Sequence, residues 1–81
     1  MNKVLKFGAE WCAGCKVVDQ QLDRLGLTVE QVDIDSQPDE GKKYSLRSIP
    51  TMIKIDSDGK EVGRLIGVQS DAKLIEFLDG I

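Results

Sequence analysis

The stretch WCAGCK, residues 11–16, contains both cysteines of this 81-residue chain, and its flanks indicate the fold. Two thiols at this spacing can bind a metal, form a structural disulfide or exchange electrons. With two cysteines and no histidine, one chain cannot complete a four-ligand thiolate and imidazole zinc site, although two chains could share one. A structural disulfide that closes so short a loop stabilises little. We therefore predict redox exchange and no bound metal.

Length and composition narrow the class of protein. A chain of 81 residues with 41% hydrophobic content is predicted to form one domain over residues 1–81. Its net charge of −3 argues against a nucleic-acid partner, which needs a basic surface. No apolar run is long enough to cross a membrane, and the N-terminus lacks the apolar segment of a signal peptide. We therefore expect a cytoplasmic location, where thiols stay reduced.

The residues on either side of the cysteines predict a strand that leads into a helix. Lys3–Phe7 is a predicted strand that ends at Gly8. From Cys12 onward, apolar residues recur at helical spacing, and Gly26 supplies a stop. These apolar positions are Cys15, Val18, Leu22 and Leu25.

Two further elements are predicted in the middle of the chain. Alternation over Thr28–Ile34 predicts a second strand. Ser36-Gln37-Pro38 is a helix-start signal, and the polar helix that follows is predicted to lie on the surface and to end near Leu46.

The last third of the sequence predicts a β-hairpin followed by a final helix. Thr51–Ile55 and Glu61–Ile66 are predicted strands joined by a turn at residues 56–59. Ser70 caps a helix with a predicted buried face of Leu74, Ile75, Phe77, Leu78 and Ile81. The order β-α-β-α-β-β-α predicts an α/β fold in which helices cover both faces of one four-stranded mixed sheet.

The position of the cysteines suits electron exchange. If the first helix begins near Cys12, free backbone N–H groups and the helix dipole favour its thiolate, which is the attacking species. Cys15 lies one turn further on the same face, where it can close a disulfide and release a bound partner. We predict Cys12 as the nucleophile and Cys15 as the resolving thiol. The alternative is two unrelated core cysteines.

FGAEWCAGCK (residues 7–16), VDIDSQPDEGKKYSLRSIPT (residues 32–51) and GKEVGRLIGVQSDAKLIEFL (residues 59–78) together resemble the thioredoxin family. The similarity runs from about Val4 to the end of the chain, and it implies a minimal thioredoxin fold. A Cys-x-x-Cys pair alone is only moderately specific. The tryptophan before it and the later Ile-Pro-Thr make the resemblance strong.

The resemblance implies further site residues. Ile49-Pro50 would be a cis peptide bond that faces the two sulfurs, and the backbone of Ile49 would pair with an extended substrate segment. Trp11 and Gly67 would line the apolar groove around the exposed sulfur. The alternatives are a trans, strand-starting Pro50 and a Trp11 that fills the core.

The chain departs from the family pattern at three places. Ala13-Gly14 replaces the usual Gly-Pro between the cysteines, and the N-terminal strand and helix of the family are missing. Lys6 replaces a buried aspartate, and Gln31 replaces its lysine neighbour, so the usual proton-transfer pair is absent. The Lys6 ammonium is expected to reach water from a packed stem. The alternative hypothesis puts it beneath Cys15, where its charge would favour the thiolate.

The resemblance implies a protein-disulfide reductase that acts through its own Cys12-Cys15 disulfide. It has no bound cofactor, and a thioredoxin reductase supplies its electrons from NADPH. Protein disulfides are the expected substrates, ribonucleotide reductase is one target that the family allows, and a monomer is expected. One alternative is a glutaredoxin-like reductase that uses glutathione. The other is a binding subunit that does not use its thiols.

Overall fold

A four-stranded mixed sheet forms the centre of the computed structural model, which describes residues 1–80. The strands are β1 (Lys3–Gly8), β2 (Glu30–Asp33), β3 (Thr51–Ile55) and β4 (Glu61–Ile66). They lie side by side in the order β2-β1-β3-β4. β1 pairs in parallel with β2 and antiparallel with β3, and β3 pairs antiparallel with β4. The predicted four-stranded mixed sheet is confirmed.

Three helices connect and cover the strands. They are α1 (Ala13–Leu25), α2 (Pro38–Lys43) and α3 (Asp71–Leu78), which gives the predicted order β-α-β-α-β-β-α. α1 is the crossover that the parallel pair of β1 and β2 requires. α1 and α3 pack on one face of the sheet, and α2 with the segment that follows it lies on the other. Within residues 1–80, no helix has the length and apolar character needed to span a membrane.

The alternation of side chains along β1 builds both halves of the core. Leu5 and Phe7 belong to the apolar cluster on the α2 side of the sheet. Val4 packs with Met52 and Leu74 on the side of α1 and α3. Lys6 points to the same side as Val4, and it therefore lies under α1, where its ammonium pairs with a carboxylate of that helix.

Two middle elements are shorter than predicted. The second strand is Glu30–Asp33 and not Thr28–Ile34. It pairs with Leu5–Gly8 of β1, and because β1 ends at Gly8, Ile34 has no strand residue opposite it.

The end of α2 at Lys43, before the predicted Leu46, follows from the local backbone. Ser45 adopts a left-handed φ of 54°, and the Leu46 N–H donates to the Gly41 carbonyl at 2.9 Å. This pattern is a Schellman-type helix end. It turns the Leu46 side chain back over the buried Gly41 and into the core on the α2 side.

α3 begins as predicted but buries fewer residues than predicted. The Ser70 hydroxyl accepts a hydrogen bond from the Lys73 N–H at 3.2 Å, which confirms the cap. Ile75 is 50% exposed, so its predicted burial is wrong. Successive helical residues are rotated by about 100°, and a short helix on a sheet buries one narrow stripe. The members of this stripe are the buried Leu74 and the half-buried Phe77 and Leu78, and Ile81 lies outside the described residues.

Candidate active site

The two cysteines form a disulfide at the first turn of α1, with 5.3 Å between their Cα atoms. Cys12 is the N-cap residue, with the extended backbone angles φ −89° and ψ 108°. Its Sγ accepts a hydrogen bond from the Cys15 N–H at 3.1 Å. A helix N-terminus presents free N–H groups and a positive partial charge, so a Cys12 thiolate is favoured here after reduction.

Both cysteine residues are buried. In the disulfide form, 7% of Cys12 and 2% of Cys15 is exposed. Cys15 is covered because it lies on the inner face of α1, together with the buried Val18 and Leu22.

The loop before β3 packs against the first turn of α1. The Ile49–Pro50 peptide bond is cis, as the resemblance implied. The Pro50 ring lies so close to Gly14 that a Cβ on this glycine would be 3.1 Å from Pro50 Cδ and 3.3 Å from Val68 Cγ2. The Pro50 carbonyl also accepts a hydrogen bond from the Gly67 N–H at 2.8 Å. The structure thus brings Pro50 and Gly67 together beside the disulfide turn.

Trp11 lies at the surface and does not fill the core. It is 68% exposed, and its indole Nε1–H donates a hydrogen bond to Asp35 Oδ2 at 2.9 Å. The Asp35 backbone N–H in turn donates to Asp33 Oδ1 at 2.8 Å. The sequence predicted for Asp35 only a solvated strand end, with a metal site as the less favoured alternative. The signal for its contact with Trp11 was available, because parallel strands end at the same edge of a sheet, and Trp11 and Asp35 both follow such strands.

Lys6 is buried at the centre of the sheet face under α1. The residue is 2% exposed, so the expectation that its ammonium reaches water is wrong. Its Nζ lies 2.9 Å from Asp19 Oδ1 on α1 and donates a hydrogen bond to Gln31 Oε1 at 3.2 Å. Gln31 Nε2 also donates to Asp19 Oδ1, at 3.0 Å. Buried charges persist where they are paired, and these two partners satisfy the ammonium.

A cleft of about 540 Å³ runs beside this cluster and reaches Cys15. Gly8, at the end of β1, forms part of its wall. A Cβ on Gly8 would be 3.1 Å from Cys15 Sγ and 3.3 Å from Lys6 Nζ. The missing side chain of Gly8 therefore leaves room for the ammonium and the Cys15 sulfur to face each other.

A Cys-x-x-Cys disulfide at a helix N-terminus, beside a cis-proline and on this mixed sheet, defines the class of thiol-disulfide oxidoreductases with a thioredoxin fold. Comparison with known proteins gives the family. Residues 1–80 match the family model described as Thioredoxin, and the chain belongs to the thioredoxin family. The family uses its own dithiol as the redox centre without a bound cofactor, and it exchanges electrons with a reductase and with protein disulfides.

Individual relatives agree with this assignment. The chain is 40% identical to a thioredoxin of Chlamydia trachomatis, over 93% of this chain and 78% of the relative. It is 34% identical to a thioredoxin of Staphylococcus aureus, over 95% and 79% of the two chains. The solved structure of Fasciola hepatica thioredoxin superposes with a TM-score of 0.80 and 32% identity, over 95% of this chain and 77% of that one. The N21Q mutant thioredoxin of Halobacterium salinarum shares the fold, with a TM-score of 0.81 and 23% identity over 96% and 72%.

Proposed function

We propose that this thioredoxin reduces disulfides in other proteins, with Cys12 as the nucleophile and Cys15 as the resolving thiol. The Cys12 thiolate attacks one sulfur of the target disulfide, forms a mixed disulfide and releases the other target sulfur as a thiolate. The Cys15 thiolate then attacks Cys12 Sγ, closes the disulfide and releases the second target sulfur. Two electrons pass from the dithiol to the target. The position of Cys12 as the N-cap of α1 carries this proposal.

The proposed surface for the target surrounds Cys12. Trp11 supplies an exposed apolar side chain, and Gly67 allows a close approach of the partner's backbone. Ile49 precedes the cis-Pro50, and its backbone is the segment proposed to pair with an extended part of the target. The packing of Pro50 against Gly14 supports this role, because it fixes the loop next to the disulfide turn.

We also propose that Lys6 favours the Cys15 thiolate during resolution. An opposite charge within a few ångströms stabilises an anion, and burial strengthens the effect. The support is the position of Lys6 Nζ, which faces Cys15 Sγ across Gly8.

The proposed cellular setting follows the family. The electron donor is a thioredoxin reductase that uses NADPH, and ribonucleotide reductase is one candidate target. The protein works as a monomer of a single domain in the cytoplasm. The presence of both cysteines in one chain supports the monomer, because the exchange needs no second subunit.

Insulin reduction tests this function. The chain is assayed with thioredoxin reductase and NADPH, and separately with glutathione as the donor. We expect activity with the reductase, none for Cys12→Ser, and a trapped mixed disulfide for Cys15→Ser. Activity with glutathione alone would indicate the glutaredoxin-like alternative. If Cys12→Ser retained the chain's effect on a partner protein, the chain would be a binding subunit.

A further inference from the structure

The buried ammonium of Lys6 lies between two groups that can each carry a negative charge. One is Asp19, whose Oδ1 is 2.9 Å from Lys6 Nζ. The other is Cys15 after reduction, since its Sγ and Lys6 Nζ both lie within 3.3 Å of the position that a Cβ on Gly8 would occupy. Cys15 and Asp19 are also separated by four residues on α1, so they are neighbours on one face of the helix.

The cleft connects these groups to solvent. Lys6, Cys15 and Asp19 all line it, and its volume of about 540 Å³ is large enough for several waters. The Asp19 side chain is 48% exposed, whereas Lys6 is buried. A proton that reaches Asp19 can therefore leave to bulk water. The charged residues that line the cleft are Lys6, Lys16, Asp19, Glu10 and Asp33.

The charges favour one anion beside the ammonium at a time. Two anions around one cation leave an excess negative charge, and the burial of Lys6 and Cys15 makes this excess charge costly. If a proton moves from the Cys15 thiol to the Asp19 carboxylate, the thiolate replaces the carboxylate as the counterion of Lys6. The net charge of the cluster then stays constant during the transfer.

We propose that Asp19 is the proton acceptor for Cys15 in the resolution step. This inference rests on the proposed role of Cys15 as the resolving thiol. The Cys15 S–H bond breaks, and a water in the cleft passes the proton to the Asp19 carboxylate. Cys15 Sγ then forms a bond to Cys12 Sγ, and the bond between Cys12 and the target sulfur breaks. The target sulfur leaves with the electron pair as a thiolate, and Asp19 returns its proton to solvent.

Reaction with dithiobis(nitrobenzoate) separates attack from resolution. The reduced chain releases one coloured thiolate when Cys12 attacks and a second when Cys15 resolves the mixed disulfide. We expect Asp19→Asn to slow the second release by roughly tenfold or more below neutral pH, as for loss of a general base, and to leave the first unchanged. Asp23→Asn is the matched control, because Asp23 is an exposed acid one turn further along α1. A second release within twofold of the unmodified chain would overturn the proposal.

A chemical rescue excludes a purely structural effect. Acetate added to Asp19→Asn can enter the cleft and accept the proton, so it is expected to speed the second release in proportion to its concentration. It should have little effect on the unmodified chain. Asp19→Glu, which keeps a carboxylate, is expected to retain most of the rate. If acetate did not speed the second release in Asp19→Asn, and if Asp19→Glu were as slow as Asp19→Asn, Asp19 would have a structural role and the proposal would be overturned.

Asp19→Asn is expected to slow resolution and yet to make the Cys15 thiol easier to ionise at equilibrium. In a Cys12→Ser background Cys15 is the one remaining thiol of the chain, so its ultraviolet thiolate absorbance reports on it alone. Asp19→Asn leaves Lys6 without its competing anion, and the thiolate is then expected to form at lower pH. A slower resolution together with an easier ionisation is the signature of a lost acceptor. Ionisation at higher pH would contradict it.

Asp19→Asn leaves the Lys6 charge without its carboxylate partner and can therefore fail to fold. A second variant covers this case. Lys6→Met with Asp19→Asn removes both charges and is compared with Lys6→Met alone. The double variant is expected to resolve more slowly, and equal rates would overturn the proposal. The thiolate-release assay contains no reductase and no protein target. Failure to reduce insulin would therefore count against the proposed function and leave the result for Asp19 intact.

Discussion

Trp11 combines an exposed indole ring with a fixed orientation at the edge of the disulfide site. Its one polar atom donates to Asp35 at 2.9 Å, which anchors the ring at the end of β2. An exposed aromatic side chain that is already ordered loses less conformational entropy when a partner covers it. On the proposed target surface, we therefore expect Asp35 to act through Trp11 and not through contact with the sulfurs.

Removal of this anchor should weaken target binding more than turnover. Asp35→Ala loses one hydrogen bond, worth about 1 kcal/mol, so we expect KM for insulin to rise roughly fivefold while kcat is unchanged. The anisotropy of the Trp11 fluorescence should fall as the ring gains freedom. Asp58→Ala, in the turn before β4, removes an exposed acid far from Trp11 in the sequence and serves as the control. An unchanged KM would show that Asp35 does not support the target surface.

The position of Lys6 in a strand could be predicted from the sequence, but the partners of its charge could not. The strand pattern placed it correctly in β1, but the sequence around it contains no partner for its charge. The two groups that satisfy it, Asp19 and Gln31, lie 13 and 25 residues away and meet it only after α1 crosses over the sheet. The disulfide turn was predictable, by contrast, because Cys12, Cys15 and the start of α1 are local to each other.

At the scale of elements, α1 and α3 are joined by a polar contact. The two terminal guanidinium nitrogens of Arg24 each lie 3.0 Å from one carboxylate oxygen of Asp71, and Gln21 Nε2 donates to Asp71 Oδ1 at 3.0 Å. The hydrogen bond from Arg24, followed by that from Gln21, holds the pKa of Asp71 below its usual value of 3.8. The contact fixes the first turn of α3 against the outer side of α1.

This contact should make stability depend on pH on the acid side. Because the folded pKa of Asp71 is lowered, its contribution to the free energy of unfolding is complete above the ordinary pKa of 3.8. It is lost as the pH falls through the lower, folded pKa. We expect Asp71→Asn to reduce the free energy of unfolding at neutral pH and to have progressively less effect as the solution is acidified. Urea unfolding across the acid range measures this, and a loss independent of pH would contradict it.

Ser45 offers a simple gain in stability at the end of α2. It is the one non-glycine residue with a positive φ among residues 1–80, and glycine adopts this conformation without steric cost. Ser45→Gly is therefore expected to raise the free energy of unfolding by roughly 0.5–1 kcal/mol, since a left-handed residue with a Cβ costs about that much or more. Ser57→Gly, at a position without positive φ, should be neutral or destabilising. Urea unfolding of both variants decides the point.

The element boundaries that the sequence did not predict have both tertiary and local causes. β2 cannot extend past Asp33 because its partner strand ends at Gly8, whereas the end of α2 is set locally by Ser45 and by Leu46, which folds back over Gly41. The exposure of Ile75 depends on which stripe of α3 meets the sheet. Strong local signals were sufficient elsewhere, as for the Ser70 cap and the hairpin between β3 and β4.

For the whole molecule, oxidation adds a covalent link at one end of a small core. The disulfide closes a loop of only a few residues, so chain entropy accounts for roughly 2 kcal/mol of extra stability in the oxidised form, which is at the low end of the range for disulfides. We expect reduction to lower the free energy of unfolding by about that amount. Urea unfolding with and without dithiothreitol measures the difference, and Cys15→Ser should show none. An equal stability of the two forms would mean that the reduced site regains the loss through its own contacts.

The order of the strands also affects whether copies of the chain associate through their sheet edges in concentrated solution. Within residues 1–80, β2 is an edge strand of only four residues, and it carries the acidic side chains of Glu30 and Asp33. Two such edges that approached each other would bring like charges together, so the strand resists becoming a template for sheet extension between molecules. Concentrated solutions should remain clear near pH 7, where the net charge is −3, and become turbid near the isoelectric pH of about 4.8, where the net charge vanishes.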